Sequence, residues 1–162
     1  MASLRQRALL DPGSRAPAFR LTRLEGGEAT LAELTARSRV LLVFFKVTCP
    51  TCQLTAPFLE RLNASGKLPV CGISQNDAPD TREFNTYFGV NFATLLDPED
   101  ADFPVSNAYG ISSVPSMFLV EPDGTVSRVI EGWSKMDMEA LGAAAGITLF
   151  RPDDNVPVWK AG

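Results

Sequence analysis

Six consecutive apolar residues, Val40-Leu41-Leu42-Val43-Phe44-Phe45, make the most apolar run in the chain. Successive side chains of a strand point to opposite faces, so an unbroken run of this kind predicts a strand buried on both sides, at the centre of a covered sheet. The flanking sequence supplies its neighbours. Leu54, Phe58, Leu59 and Leu62 recur at helical spacing over residues 50–63, with Pro50 at the first helical position, Pro57 inside, where it should kink the helix, and Gly66 after the end. Val70-Cys71-Gly72-Ile73-Ser74 reads as a second buried strand, residues 80–88 as a helix with Pro79 near its start, and Thr94-Leu95-Leu96 as a shorter strand.

Upstream, residues 18–24 alternate apolar and polar before Glu25-Gly26-Gly27-Glu28 and the return Ala29-Thr30-Leu31, a hairpin signal followed by a short helix at residues 31–34. Downstream come an acidic loop, residues 97–102, read as solvated, and a helical turn at residues 105–109. A second hairpin joins residues 116–120 to 125–130 through Glu121-Pro122-Asp123-Gly124, and a last helix spans residues 135–145. The expectation is an α/β fold: a central mixed sheet with helices on both faces, preceded by an N-terminal β-hairpin. At 162 residues the chain fits one domain, with a core over about residues 15–147, a lead-in over 1–14 and a tail over 151–162 that has little to pack except Val158 and Trp159.

Composition narrows the function. A net charge of −4 without a basic cluster argues against nucleic acid, and no apolar run approaches the roughly 20 residues that span a bilayer. The complete lack of histidine excludes Ser-His and Cys-His nucleophile pairs and every His-bearing metal site. Three cysteines are too few for a disulfide framework. Two arginines and a few apolar residues at the start fall short of the apolar core of about 7–15 residues that a secretory leader needs, so the chain as given reads as cytoplasmic, or as extracytoplasmic with an upstream leader removed.

Cys49-Pro50-Thr51-Cys52 lies between the apolar run and the helix after it. A thiol at a helix N-terminus faces unpaired N–H groups and the positive end of the dipole, which favour the thiolate, the form that attacks disulfides. A second sulfur about one turn behind reaches back to resolve a mixed disulfide. In open α/β sheets chemistry gathers beyond the carboxyl ends of the parallel strands, where Cys49 falls. Zinc would need two more ligands, and only Cys71 and carboxylates remain; a static bridge across so short a loop would stabilise little. Cys71, between Val70 and Ile73, reads as a small core hydrophobe. Lys46, three residues before Cys49, is a cation that would favour the ionised sulfur, set against the duller reading of an exposed strand-end lysine. The Thr51 hydroxyl is placed to bond the Cys49 sulfur, or is simply tolerated at a helix start.

These residues resemble the thioredoxin superfamily. A strand, the Cys-x-x-Cys motif and Ala56-Pro57 stand at the spacing of that family's active-site strand and helix, and the stretch from Tyr109 through Val114-Pro115 to Leu119 is similar to its second landmark, about 65 residues on. The lead-in and the insertion between Val70 and Leu96 look most like the TlpA-type and redoxin branch. The resemblance implies a thioredoxin-like fold, Cys49 as the attacking sulfur, Cys52 as the shielded resolving one, a cis Pro115, and Thr48, Pro50, Thr51, Val114 and Pro115 as the surface that holds a substrate backbone. It implies a protein disulfide as substrate and an external thiol as reductant; with the charge, hydropathy and ligand count above, the expectation is no bound cofactor or metal, no membrane, no nucleic acid, and a monomer.

Three positions depart from the pattern. Val43 stands where thioredoxin has a buried aspartate, Thr48 where it has tryptophan, and Gln75-Asn76-Asp77 where TlpA-type proteins often place a glutamate, which leaves water or Asp77 to move the resolving thiol's proton. Two rivals to an oxidoreductase follow. In a peroxiredoxin Cys49 would be the peroxidatic cysteine, although that relative's threonine and proline positions hold Lys46 and Leu42. The other is a redox-inert module that grips an extended peptide.

Overall fold

The structure, a computed structural model, describes residues 8–162, and the reading of a missing leader falls largely on residues outside that range. In chain order the elements are β1 (Arg20–Arg23), β2 (Glu28–Thr30), α1 (Leu31–Leu34), β3 (Val40–Phe45), α2 (Pro50–Ala64), β4 (Val70–Ser74) and α3 (Ala78–Phe88). They continue with β5 (Ala93–Leu96), α4 (Pro104–Ala108), β6 (Ser116–Val120), β7 (Val126–Glu131), β8 (Trp133–Ser134), α5 (Lys135–Ala144) and β9 (Trp159–Lys160). Seven strands form one mixed sheet in the order β2-β1-β5-β4-β3-β6-β7, with β3, β4 and β5 parallel and β6 antiparallel to β3. This is the thioredoxin-like arrangement that the sequence implies.

All six residues of β3 are buried. Its two faces have different covers: the Phe44 ring packs on Tyr109, at the end of α4, whereas the neighbouring Phe45 ring packs on Phe84 of α3. The alternation of a strand turns one apolar run into the floor of two layers, and a single core cluster extends from Ala16 to Leu149. Gly72 makes room in this floor, since a Cβ there would stand 3.0 Å from both the Phe45 and the Phe92 ring.

Three features differ from the sequence expectation. Helix α3 begins two residues earlier because the Asp77 side chain accepts the Asp80 N–H as its cap, with Ala78 and Pro79 in the first turn. In the acidic stretch Asp97 is buried, its two carboxylate oxygens accepting the Val105 and Ser106 N–H groups at 3.1 and 2.7 Å. It fastens the end of β5 to the start of α4 and is no part of a solvated loop. The tail keeps most side chains in solvent, as its composition suggests, yet its backbone is anchored: β9 pairs with β8, and Arg61 of α2 grips the Asp154 carboxylate at 2.6 and 3.1 Å.

Candidate active site

Strand direction assembles the site. Parallel β3, β4 and β5 all end on one edge, while antiparallel β6 starts there, with Phe44 opposite Ser116. The loop after β3 therefore meets the residues just before β6, and the peptide bond between Val114 and Pro115 is cis, as the resemblance implies. Cys49 caps α2 in extended conformation, with Pro50 in the first turn.

Cys49 Sγ stands between two main-chain groups. It accepts the Cys52 N–H at 3.1 Å and donates to the Val114 carbonyl at 3.3 Å, across 65 residues of sequence. The sulfur is half-buried, whereas Cys52 is 2% exposed; both cysteines are free thiols. Burial holds the Cys52 thiol protonated well above the usual thiol range, the side-chain hydrogen bond with Cys49 and repulsion between the two sulfurs add to this, and a backbone contact with Lys46 works the other way. Cys71 is fully buried in β4 and its thiol is pushed up to about 12 by burial, so it packs as a hydrophobe away from the pair.

Other expected residues fall as follows. Thr48 and Pro50 are exposed beside Cys49, Val114 and Pro115 are buried behind it, and Lys46 is exposed with its carbonyl accepting the Cys49 N–H at 3.2 Å. Thr51 is 2% exposed and does not turn toward Cys49; its hydroxyl donates to the Ala161 carbonyl at 2.6 Å. Asp77 is exposed and occupied as the cap of α3.

Two side chains that sequence reasoning passed over hold the loop still. Asn76 Oδ1 accepts the Val47 N–H at 3.0 Å, and Gln53 Nε2 donates to the Val47 carbonyl at 2.9 Å, so both main-chain polar groups of Val47 are tied to flanking elements. The signal in the sequence is an amide residue at the end of a buried strand, where a neighbouring loop needs a partner. Beyond Thr48, the Phe84, Tyr87 and Phe88 rings of α3 line a hollow together with Asp80 and Glu83.

Residues 12–129 match the AhpC/TSA family. The chain belongs to that family. Among AhpC/TSA-related and thioredoxin-fold proteins, it is 30% identical over 132 residues to the thiol-disulfide oxidoreductase ResA of Geobacillus kaustophilus, covering 78% of this chain and 74% of that one. A putative thiol:disulfide interchange protein DsbE from Chlorobium tepidum superposes with a TM-score of 0.73 at 26% identity, covering 87% of this chain and 99% of that one. The peroxidoxin BcpB from Mycobacterium tuberculosis shares the fold, with a TM-score of 0.68 at 21% identity over 86% of this chain and 96% of that one. The proteins it is similar to thus include ones named for disulfide exchange, and a peroxidoxin shares its fold. No helix among the described residues is long and apolar enough to cross a membrane.

Proposed function

We propose that the chain is a thiol–disulfide oxidoreductase that reduces disulfides in protein substrates through Cys49 and Cys52. The observation that carries this reading is the placement of the sulfurs: Cys49 Sγ at the rim, held by the Cys52 N–H and the Val114 carbonyl, and Cys52 buried in hydrogen-bonding contact behind it. The Cys49 thiolate attacks one sulfur of the substrate disulfide, the substrate S–S bond breaks, and a substrate thiolate leaves with the electron pair. Cys49 is then joined to the substrate in a mixed disulfide.

Before this step burial and the neighbouring sulfur keep Cys52 protonated and unreactive. Once Cys49 is consumed, its hydrogen bond and its charge no longer oppose ionisation of Cys52. The Cys52 proton leaves, its sulfur attacks Cys49 Sγ, and the second substrate thiolate departs. The product is a Cys49–Cys52 disulfide, two electrons having passed to the substrate, and an external thiol reductant restores the dithiol. The missing acidic group at Val43 and the capping role of Asp77 leave water as the acceptor of the Cys52 proton.

Insulin reduction tests the scheme. Wild-type protein should precipitate insulin in the presence of excess dithiothreitol faster than the reductant alone, Cys49→Ser should lose the acceleration entirely, and reduced Cys52→Ser mixed with insulin after removal of the dithiothreitol should accumulate a mixed disulfide. Undiminished acceleration by Cys49→Ser would overturn the scheme. The peroxidase reading is favoured by the family match, but Leu42 is fully buried in β3 and Lys46 is exposed, so neither provides the hydroxyl or the ring expected beside a peroxide. Stopped-flow oxidation of Cys49 by hydrogen peroxide at the rate of an ordinary thiolate would close it.

A further inference from the structure

The exchange scheme leaves residues 157–162 without a task, although they cross the rim at the dithiol. The segment is fastened along its length. Trp133 Nε1 donates to the Pro157 carbonyl at 2.7 Å, the Lys135 N–H to the Val158 carbonyl at 2.9 Å, Trp159 and Lys160 lie in antiparallel register with Ser134 and Trp133, and the Thr51 hydroxyl holds the Ala161 carbonyl at 2.6 Å. The approach is close at both ends of this run. A Cβ at Gly132 would stand 2.7 Å from the Lys160 carbonyl oxygen, and one at Gly162 would collide with the Val114 carbonyl oxygen, the same atom that receives the Cys49 thiol. The tail backbone therefore fills the space beside Val114.

What holds it is hydrogen bonding to its own main chain, from the Trp133 and Thr51 side chains and from the backbone of β8 and α5. Val158 and Trp159 are 78% and 66% exposed, so the segment buries little apolar surface of its own. Segments of this kind, with few buried apolar contacts, open at far lower cost than the whole fold.

We infer that residues 157–162 form a releasable cover over the dithiol, which admits small disulfides while closed and lets an extended protein chain align at Val114 only after it lifts. The inference rests on the oxidoreductase reading. Cys49 keeps part of its surface in solvent with the cover closed, which is the face a small disulfide would meet. An extended chain needs the strip held by Ala161 and Gly162, and its apparent affinity is reduced in proportion to the fraction of time that strip is free.

The test uses the full chain and Lys160→Pro, which withdraws an N–H from the β8–β9 pair at an exposed position. Circular dichroism checks that the fold is kept, and reduction of insulin is compared with reduction of hydroxyethyl disulfide. The variant should raise kcat/KM for insulin about tenfold and leave that for hydroxyethyl disulfide within about twofold, since only the open fraction changes. Unchanged insulin kinetics, or an equal rise for both substrates, would overturn the cover while turnover of the small disulfide sustains the oxidoreductase reading. Failure of both proteins to reduce hydroxyethyl disulfide would overturn the two together. Should the proline variant misfold, hydrogen exchange in Cys52→Ser decides the matter: residues 157–162 should lose protection when Cys49 is joined to an extended cysteine peptide, and retained protection would overturn the cover.

Discussion

Strand β3 and the segment 157–162 both lead up to the dithiol and are held by opposite means. Every side chain of β3 is buried, with Leu42 and Phe44 at 0% exposure, while every residue of the tail segment is exposed and its main chain makes the contacts. Full burial of a large aliphatic or aromatic side chain stabilises by about 1.5–3 kcal/mol, whereas a typical hydrogen bond contributes about 0.5–1.5 kcal/mol net. The floor of the site thus moves only with the fold. The cover, held by hydrogen bonds on exposed chain, has the means to move on its own.

Three perturbations would sharpen or break this contrast. The largest effect is expected from Leu42→Ala, which empties space between Phe118 and Cys71 in the middle of the sheet. It should cost about 2–5 kcal/mol in urea unfolding, and a loss below about 1 kcal/mol would mean the floor is not tightly packed. Next is the alkaline limb. Cys71 is raised in the folded state to about 12 from an ordinary 9.0, so the folded chain keeps a proton that the unfolded chain releases. Its contribution is intact below about pH 9 and falls as pH rises toward 12, by up to about 1.4 kcal/mol per unit. Unfolding midpoints of wild type and Cys71→Ala across this range isolate the effect, and the variant should show the flatter decline.

The smallest effect concerns the cover alone. The Arg61 hydrogen bonds hold the Asp154 carboxyl down to about 2, with the Arg151 N–H assisting. A depressed carboxyl contributes above its ordinary value of 3.8 and loses that contribution as pH falls toward 2, so acid should loosen the tail before the floor. Amide signals of residues 157–162 followed by NMR should shift in this window, and Asp154→Asn should show part of the change already at pH 6. Coincident acid transitions of tail and core signals would erase the distinction between the two regions.

The parts of the molecule legible in the sequence are those written in side-chain pattern. The limits of β3, the helix opened by Pro50 and the pairing of β6 with β7 follow from apolar runs, proline and turn residues, and together they place Cys49 and Pro115 at one edge. The anchoring of the tail escaped because main-chain groups are the same in every residue: nothing in Trp159 or Ala161 announces a partner, and Thr51 meets Ala161 across 110 positions. The same holds for Asn76 and Asp97, polar residues whose partners are backbone N–H groups brought near by tertiary structure. Composition marks such residues as loop-formers, and only the fold shows what they hold.

Gly72 carries a consequence for the chemistry despite lying a full layer beneath it. Its bare α-carbon leaves the Phe45 ring its berth, and Phe45 is the final β3 residue before the turn that carries the sulfurs. A methyl group at this spot would press on that ring and on Phe92, and the rings would have to give way beneath the turn. The alignment of the outermost reactive atom is thereby tied to the smallest residue of the interior.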